Sequence, residues 1–95
     1  MQTGAVLTGV VVGIRRGMNR QYQREALIKV EGFNDRSEAS RLIGSRVELV
    51  WRGRKVFRGR VIAPHGGNGV VVARFKTPLP GGVGGIRVKI VRRAS

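Results

Sequence analysis

The chain has 95 residues, which is enough for one domain with a single hydrophobic core. It contains no cysteine, so a disulfide framework, a thiolate metal site and a cysteine nucleophile are excluded. Nineteen basic residues against five acidic ones give a formal net charge of +14, which predicts a polyanionic partner. No apolar run approaches the roughly 20 residues of a membrane helix, and the amino-terminal run lacks the early positive charge of a signal peptide, so we expect an intracellular, soluble chain with no membrane partner.

The charge is distributed unevenly along the chain. All five acidic residues lie in the first 48 residues, whereas the eleven basic residues from Leu49 onward have no acidic residue among them. Self-repulsion on this scale opposes folding unless a polyanion neutralises it. Fifteen of the nineteen basic residues are arginine, whose planar guanidinium suits bidentate phosphate contacts and stacking on bases.

The first predicted strand covers residues 5–16, an apolar run rich in β-branched side chains. Gly9 and Gly13 within it indicate bends or bulges, as expected where a strand curves around a small barrel. A buried helix is the competing interpretation, but the glycines and valines disfavour it. The polar residues 17–23 form a predicted loop among arginines, and Tyr22 in this loop either stacks on an unpaired base or lies on the barrel rim.

Residues 26–31 form the second predicted strand, and a helix of about two turns follows it. Asp35 is typical of a helix N-cap, and Glu38 three residues later completes a capping-box pattern. Gly44 is the expected C-terminal stop. The helix should dock on the sheet through one apolar face, formed by Ala39, Leu42 and Ile43.

Residues 46–52 form the third predicted strand, in which Trp51 shares the apolar face of Val47 and Leu49. At this parity Trp51 is predicted to belong to the core, and a base-stacking platform is the alternative. Gly53 then opens a tight turn.

A hairpin over residues 57–75 carries the strongest pattern. Its turn, residues 65–69, reads His-Gly-Gly-Asn-Gly, and glycine and asparagine accept the positive φ of a tight reversal. Because strand side chains have a period of two, the arms have an apolar face and a cationic face. We expect the cations to lie beside the exposed turn amides and to bind a phosphate chain with them; the alternative is that the glycines serve only the turn geometry. The cations are Arg58, Arg60, Arg74 and Lys76.

Residues 77–85 are irregular by composition, and residues 86–90 alternate apolar and basic side chains in a last predicted strand. Six glycine-bent strands in so small a chain close most readily into a barrel, which removes exposed edges. The predicted fold is all-β, a small six-stranded antiparallel β-barrel with one short helix, formed by residues 1–95 as a single domain. Its predicted core includes Phe57, Val61, Phe75 and Val88.

The titratable residues offer little for catalysis. There is one histidine, and nothing near His65 in the sequence would orient it as a general base. One histidine and scattered acids match no metal-ligand spacing, and the glycine turn lacks the Gly-Lys-Ser/Thr ending of a P-loop. We therefore expect no catalytic residue, no metal, no cofactor and no small-molecule substrate. His65 is either a nucleic-acid contact or a locally hydrogen-bonded turn residue.

The order of these motifs resembles one protein family, the large-subunit ribosomal proteins of archaea and eukaryotes numbered thirty-five Ae. Residues 26–32 and the helix that ends in Leu42-Ile43-Gly44 resemble it in the right order, so the resemblance covers nearly the whole chain. The motifs that carry it are Gly59-x-Val61, His65-Gly66-x-x-Gly69-x-Val71-x-Ala73-x-Phe75, Leu79-Pro80 and Ile86-x-Val88-x-Ile90.

This resemblance implies a six-stranded antiparallel barrel and assembly into the large ribosomal subunit. It also implies contact with ribosomal RNA and with neighbouring large-subunit ribosomal proteins, and no catalysis. The family's marked positions here are His65, Gly66, Gly69, Leu79 and Pro80. The predicted RNA-binding residues of the single domain are Arg15, Arg16, Arg52, Arg54, Lys55, Arg58, Arg60, His65, Gly66, Gly67, Asn68, Arg74, Lys76, Arg87 and Lys89.

Two other binding classes fit parts of the sequence. A small-barrel RNA-binding protein of an RNA-modifying ribonucleoprotein shares the composition and the fold class. A basic chromatin protein fits the charge, but no recognition helix with base-reading side chains is predicted, which disfavours DNA.

Overall fold

The computed structural model describes residues 6–14, 25–80 and 82–92, which form six strands and one helix. Arg15, Arg16 and the predicted loop 17–23 with Tyr22 lie outside the described residues. The elements are β1 (Val6–Ile14), β2 (Glu25–Val30), α1 (Arg36–Ser40), β3 (Arg46–Trp51), β4 (Lys55–His65), β5 (Val70–Phe75) and β6 (Arg87–Val91).

The six strands close into a barrel in the order β1-β2-β5-β4-β3-β6, with β6 pairing back onto β1. Each of these neighbouring pairs is antiparallel. Closure satisfies the backbone groups that an open sheet would leave at its edges. The predicted fold class, a six-stranded antiparallel barrel with one short helix, is confirmed.

Successive side chains of each strand point alternately to the inside and the outside of the barrel wall. Phe57, Val61, Phe75 and Val88 are all buried, as predicted. They join aliphatic side chains from the other strands in one continuous core. Burial of this apolar surface is the main favourable contribution to folding.

Glycines let the first strand curve around this core. The pairing of β1 with β2 shifts register between Val11 and Gly13, which confirms the predicted irregularity. Gly9 permits a close approach, since a Cβ atom there would lie 2.7 Å from Cγ2 of Ile28. A second register shift in β4, just after Val61, bends the central hairpin in the same way.

The helix begins at its predicted N-cap. The Oδ1 atom of Asp35 accepts a hydrogen bond from the Glu38 amide at 2.8 Å. Oε1 of Glu38 accepts one from the Asn34 amide at 3.1 Å, one residue earlier than a regular capping box requires. The helix ends at Ser40, and a turn carries the chain to Gly44, whose φ of +91° suits glycine.

The helix is shorter than predicted, and this changes its apolar face. Ala39 and Leu42 are buried in the core as expected, but Ile43 is 52% exposed, so the prediction for Ile43 is wrong. Helical spacing cannot turn Ile43 inward because the chain has already left the helix there. In the described parts of the chain, no helix has the length and apolar character to cross a membrane.

The segment before β6, predicted only as irregular, contributes to the core through Leu79 and Val83. The Gly85 amide donates to the Val11 carbonyl at 2.7 Å, and the Val11 amide donates to the Ile86 carbonyl at 3.0 Å. These bonds extend the pairing of β1 beyond the end of β6. The segment therefore covers part of the core, a role that its glycine-rich composition does not reveal.

Val61→Ala should lower the free energy of unfolding by about 2 kcal/mol, because it removes methyl groups from a side chain that is only 1% exposed. Val56→Ala is the matched control on the same strand. Because Val56 is 40% exposed, its truncation should change the stability by less than about 0.5 kcal/mol. Urea denaturation of both variants measures the difference, and equal losses would mean that the two faces of β4 are assigned incorrectly.

Candidate nucleic-acid interface

The predicted cations of the central hairpin all lie on the outer face of the barrel. Arg58 and Arg60 project from β4, and Arg74 projects from β5, with Lys76 just after it. Their parity is opposite to that of the buried Phe57 and its neighbours, so the cationic face of the hairpin is confirmed.

Three of the outer arginines stand directly beside one another on adjacent strands. Arg60 pairs with Arg46 on one side and with Arg74 on the other. We call Arg46, Arg60 and Arg74 the arginine row. Like charges directly opposite one another destabilise a sheet, so the row opposes folding unless an anion lies against it. Sequence reasoning missed Arg46, although its parity opposite to Val47 placed it on the outer face.

The arginine row lines a groove of about 610 Å³. We call this groove, bounded by β3, β4 and β5, the basic groove. Gly59 lies in its floor, where a Cβ atom would sit 2.9 Å from the Cα atom of Phe75. Glycine is required there so that β4 and β5 can approach each other. The lining residues are Arg46, Val47, Glu48, Arg58, Gly59, Arg60, Ile62, Arg74, Phe75 and Lys76.

Two acidic side chains contact the cations of the groove. The buried Glu25, 2% exposed, accepts hydrogen bonds through Oε2 from Nε of Arg74 at 3.0 Å and from Nη2 at 2.6 Å. Glu48 lies 3.7 Å from Arg58 in a largely solvated pair, which contributes little to stability. Glu25 thus fixes the direction of one arginine in the row, and nothing in its sequence context had marked it for this role.

Among the residues that the structure describes, Arg46 and Arg60 have no carboxylate within ion-pair distance. The lining of the groove has five basic residues and one acidic residue, so its potential is positive. No cluster of metal-ligating side chains is found within the same described ranges. The groove can therefore attract and orient anionic groups such as phosphates.

Backbone conformation and packing within the protein explain two of the glycines in the hairpin turn. Gly66 and Gly69 have φ angles of +69° and +79°, which glycine adopts without strain. A Cβ atom at Gly69 would also overlap the Phe33 carbonyl, so this turn packs tightly on the segment after β2. Gly67 differs, because its φ is not positive and a Cβ atom there would have open space around it. His65 and Asn68 are exposed.

The turn and the arginine row lie at different ends of the hairpin. His65 pairs with Val70, whereas Arg60 pairs with Arg74 five residues further back along β4, which is about 16 Å. The prediction that these cations lie beside the turn amides is therefore wrong, because each arm is longer than that arrangement allows. Arg36 of α1 does reach the turn, where its Nη1 donates to the Gly66 carbonyl at 3.4 Å, and the Lys29 ammonium lies beside Gly69.

The turn between β3 and β4 carries a second group of predicted cations, Arg52, Arg54 and Lys55, all exposed. The guanidinium carbon of Arg52 lies over Trp51, 5.0 Å from its ring centroid, and the Lys55 ammonium lies 5.3 Å from the ring centroid of Phe57. Trp51 packs against the core, as the sequence predicted, but its side chain remains half-buried.

The last two predicted cations project from β6. Lys89 lies opposite Glu48 of β3 and opposite Thr8 of β1, and Arg87 lies opposite Val10. Both side chains are exposed. They extend the basic outer face beyond the groove but stand outside its lining.

The fold and the outer cations define a small basic protein of the all-β barrel class. The chain belongs to the ribosomal protein L35Ae family, whose model matches residues 6–91. This confirms the family resemblance read from the motifs. Because the family consists of ribosomal proteins, it also confirms the expectation of a structural component rather than an enzyme.

Three similar proteins are each named large ribosomal subunit protein eL33. One from Methanopyrus kandleri is 42% identical over 88 residues, covering 90% of this chain and 96% of that protein. One from Aeropyrum pernix is 40% identical over 85 residues, covering 88% of this chain and 89% of the relative. One from Dictyostelium discoideum is 36% identical over 92 residues, covering 87% of this chain and 88% of its counterpart.

Arg60→Gln should raise the free energy of unfolding by about 0.5 kcal/mol at low ionic strength, because it removes the central charge of the arginine row. The gain should shrink at high ionic strength, where salt screens exposed charges. Arg41→Gln, an exposed arginine at the end of α1, is the control and should give no gain. Urea denaturation at the two ionic strengths measures the effect, and a loss of stability in Arg60→Gln would contradict it.

Proposed function

We propose that this chain is a structural constituent of the large ribosomal subunit that binds large-subunit RNA through the basic groove. Its partners in this role are ribosomal RNA and neighbouring ribosomal proteins, and its place is the ribosome in the cytoplasm. The observation that carries the RNA contact is the arginine row, in which Arg60 stands between Arg46 and Arg74.

The arginine row lowers the folding stability of an isolated domain. Three cations on adjacent strands repel one another, and a stability-optimised surface would interleave acidic residues between them. Phosphate groups of a nucleic-acid backbone would remove this repulsion and release counterions on binding. Arginine in particular offers bidentate contacts to phosphate oxygens.

Family membership and fold both favour RNA over DNA. The similar proteins from two archaea and a eukaryote carry the name of a large ribosomal subunit protein. A helix that reads the DNA major groove must present several side chains along its length, and α1 has five residues and packs against β4 and β5. Among the described elements, strands and turns supply the exposed cations of the groove.

We also propose that the glycine turn contacts RNA separately from the groove. Gly66 and Gly69 are explained by their positive φ angles, but Gly67 has neither a strained φ nor a packing partner within reach of a Cβ atom. A bare backbone at Gly67 allows a sugar-phosphate chain to approach the amides of the turn. Such a contact would fix the register of the RNA, while the groove supplies attraction.

Sedimentation of cell lysate tests the ribosomal role. On a sucrose gradient the tagged chain should run with large subunits, and rising salt should strip Arg60→Ala from them before the wild-type chain. Arg41→Ala, which removes an exposed arginine that does not line the groove, should behave as the wild type does. A wild-type chain that stays at the top of the gradient at low salt would refute the proposal.

Filter binding to deproteinised large-subunit RNA tests the phosphate contacts directly. If about six to eight phosphates are neutralised, the logarithm of the association constant should fall against the logarithm of salt with a slope of roughly −4 to −7. Arg60→Ala should make the slope shallower by about one, and Arg58→Ala with Arg60→Ala by about two. Arg41→Ala again serves as the control, and a wild-type slope near zero would exclude the groove as a phosphate site.

Gly67→Val tests the turn. The variant should keep the wild-type melting temperature, because the new side chain meets open space. It should bind large-subunit RNA more weakly and bind a random RNA with unchanged affinity and salt slope, because only a fitted contact is blocked. Gly84→Val, another glycine with open space around it, is the control. Normal binding by folded Gly67→Val would refute the RNA contact at the turn and leave its glycines with structural roles only.

A further inference from the structure

We infer that the turn between β3 and β4 is a binding site for one unpaired RNA base, which stacks on the guanidinium of Arg52 with the ring of Trp51 behind it. This inference rests on the proposed function. It adds a base-contacting site outside the basic groove, because none of the residues of this turn lines the groove.

The backbone at this turn is strained at an unusual residue. Arg52 has a φ of +54°, and it is the one non-glycine residue with a positive φ among residues 6–14, 25–80 and 82–92. Side chains with a Cβ atom rarely adopt this conformation, and glycine is its usual occupant. The next residue, Gly53, follows that rule with a φ of +71°. Backbone strain that is retained at one exposed residue indicates a function for that residue.

The strain places a guanidinium over an aromatic ring. The guanidinium carbon of Arg52 lies 5.0 Å from the ring centroid of Trp51, within the range of a cation–π contact. Trp51 is itself held against the core, and a Cβ atom at Gly82 would lie 3.6 Å from its Cη2 atom. The ring therefore has a fixed position, and the arginine above it is preorganised.

This arrangement suits a nucleobase rather than a phosphate alone. Arginine guanidinium planes and aromatic rings are the two surfaces on which proteins stack unpaired RNA bases. Arg54 and Lys55 are exposed beside the pair and can hold the phosphates on either side of such a base. The basic groove differs, because its aromatic residue, Phe75, is buried and presents no ring to a base.

The test compares two RNAs with the same phosphates. One is a hairpin with a single bulged adenosine, and the other is the same hairpin with an abasic nucleotide in the bulge. The wild-type chain should bind the first at least about fivefold more tightly, as expected for one stacked base. Trp51 is the only tryptophan in the chain, so its fluorescence should be quenched by the first RNA and much less by the second.

Three variants separate the stacked base from the charge. Arg52→Lys keeps the charge but loses the planar group, so it should bind the abasic hairpin normally and lose the preference for the adenosine. Arg54→Ala removes a neighbouring charge, so it should weaken binding to both hairpins and keep the preference. Arg52→Gly, which relieves the positive φ, should melt no lower than the wild type and should also lose the preference.

The outcomes distinguish this inference from the proposed function. Equal affinity of the wild-type chain for the two hairpins, or the same loss of preference in Arg54→Ala as in Arg52→Lys, would overturn the base site. If binding in those cases still falls steeply with salt, the phosphate contacts of the basic groove stand. A wild-type chain that binds neither hairpin, at low or high salt, would overturn both.

Discussion

Closure of the sheet into a barrel is the constraint on which the rest of the structure depends. A closed wall has one inside, and aliphatic and aromatic side chains fill it. The charged side chains of the strands must then share the outer face, where neighbouring strands are about 4.8 Å apart. Arg46, Arg60 and Arg74 meet because the hydrogen-bonded register of three strands brings them level.

The same rigidity holds the arginine row ready for an anionic partner. Backbone positions on a pleated wall cannot separate as they would on a loop, so the close spacing of the three arginines is fixed during folding. Glu25, which lies opposite Arg74 on β2, adds to this by holding the guanidinium of Arg74 through two hydrogen bonds. A surface prepared in this way loses little backbone entropy when it meets a chain of regularly spaced anions.

The sequence predicted what depends on local periodicity and local chemistry. The faces of the strands, the N-cap at Asp35 and the irregularity near Gly13 all follow from side-chain type and spacing over a few residues. What depends on pairing between distant segments was not predictable in this way. The place of Arg46 in the row, the partner of Glu25 and the distance from the turn to Arg60 are set by strand register, which a single sequence does not encode visibly. The exposure of Ile43 and the burial of Val83 likewise depend on tertiary contacts.

The position of β6 in the barrel links the fold to protein synthesis. This strand, residues 87–91, pairs with β1 on one side and with β3 on the other. While β6 is still inside the ribosomal exit tunnel, the nascent chain therefore has open edges at β1 and β3 and an incomplete core. This holds even if its first five strands have already folded. Open edges are sites of unwanted association. The finished barrel, and with it the complete basic face, therefore forms only after β6 has been made and released.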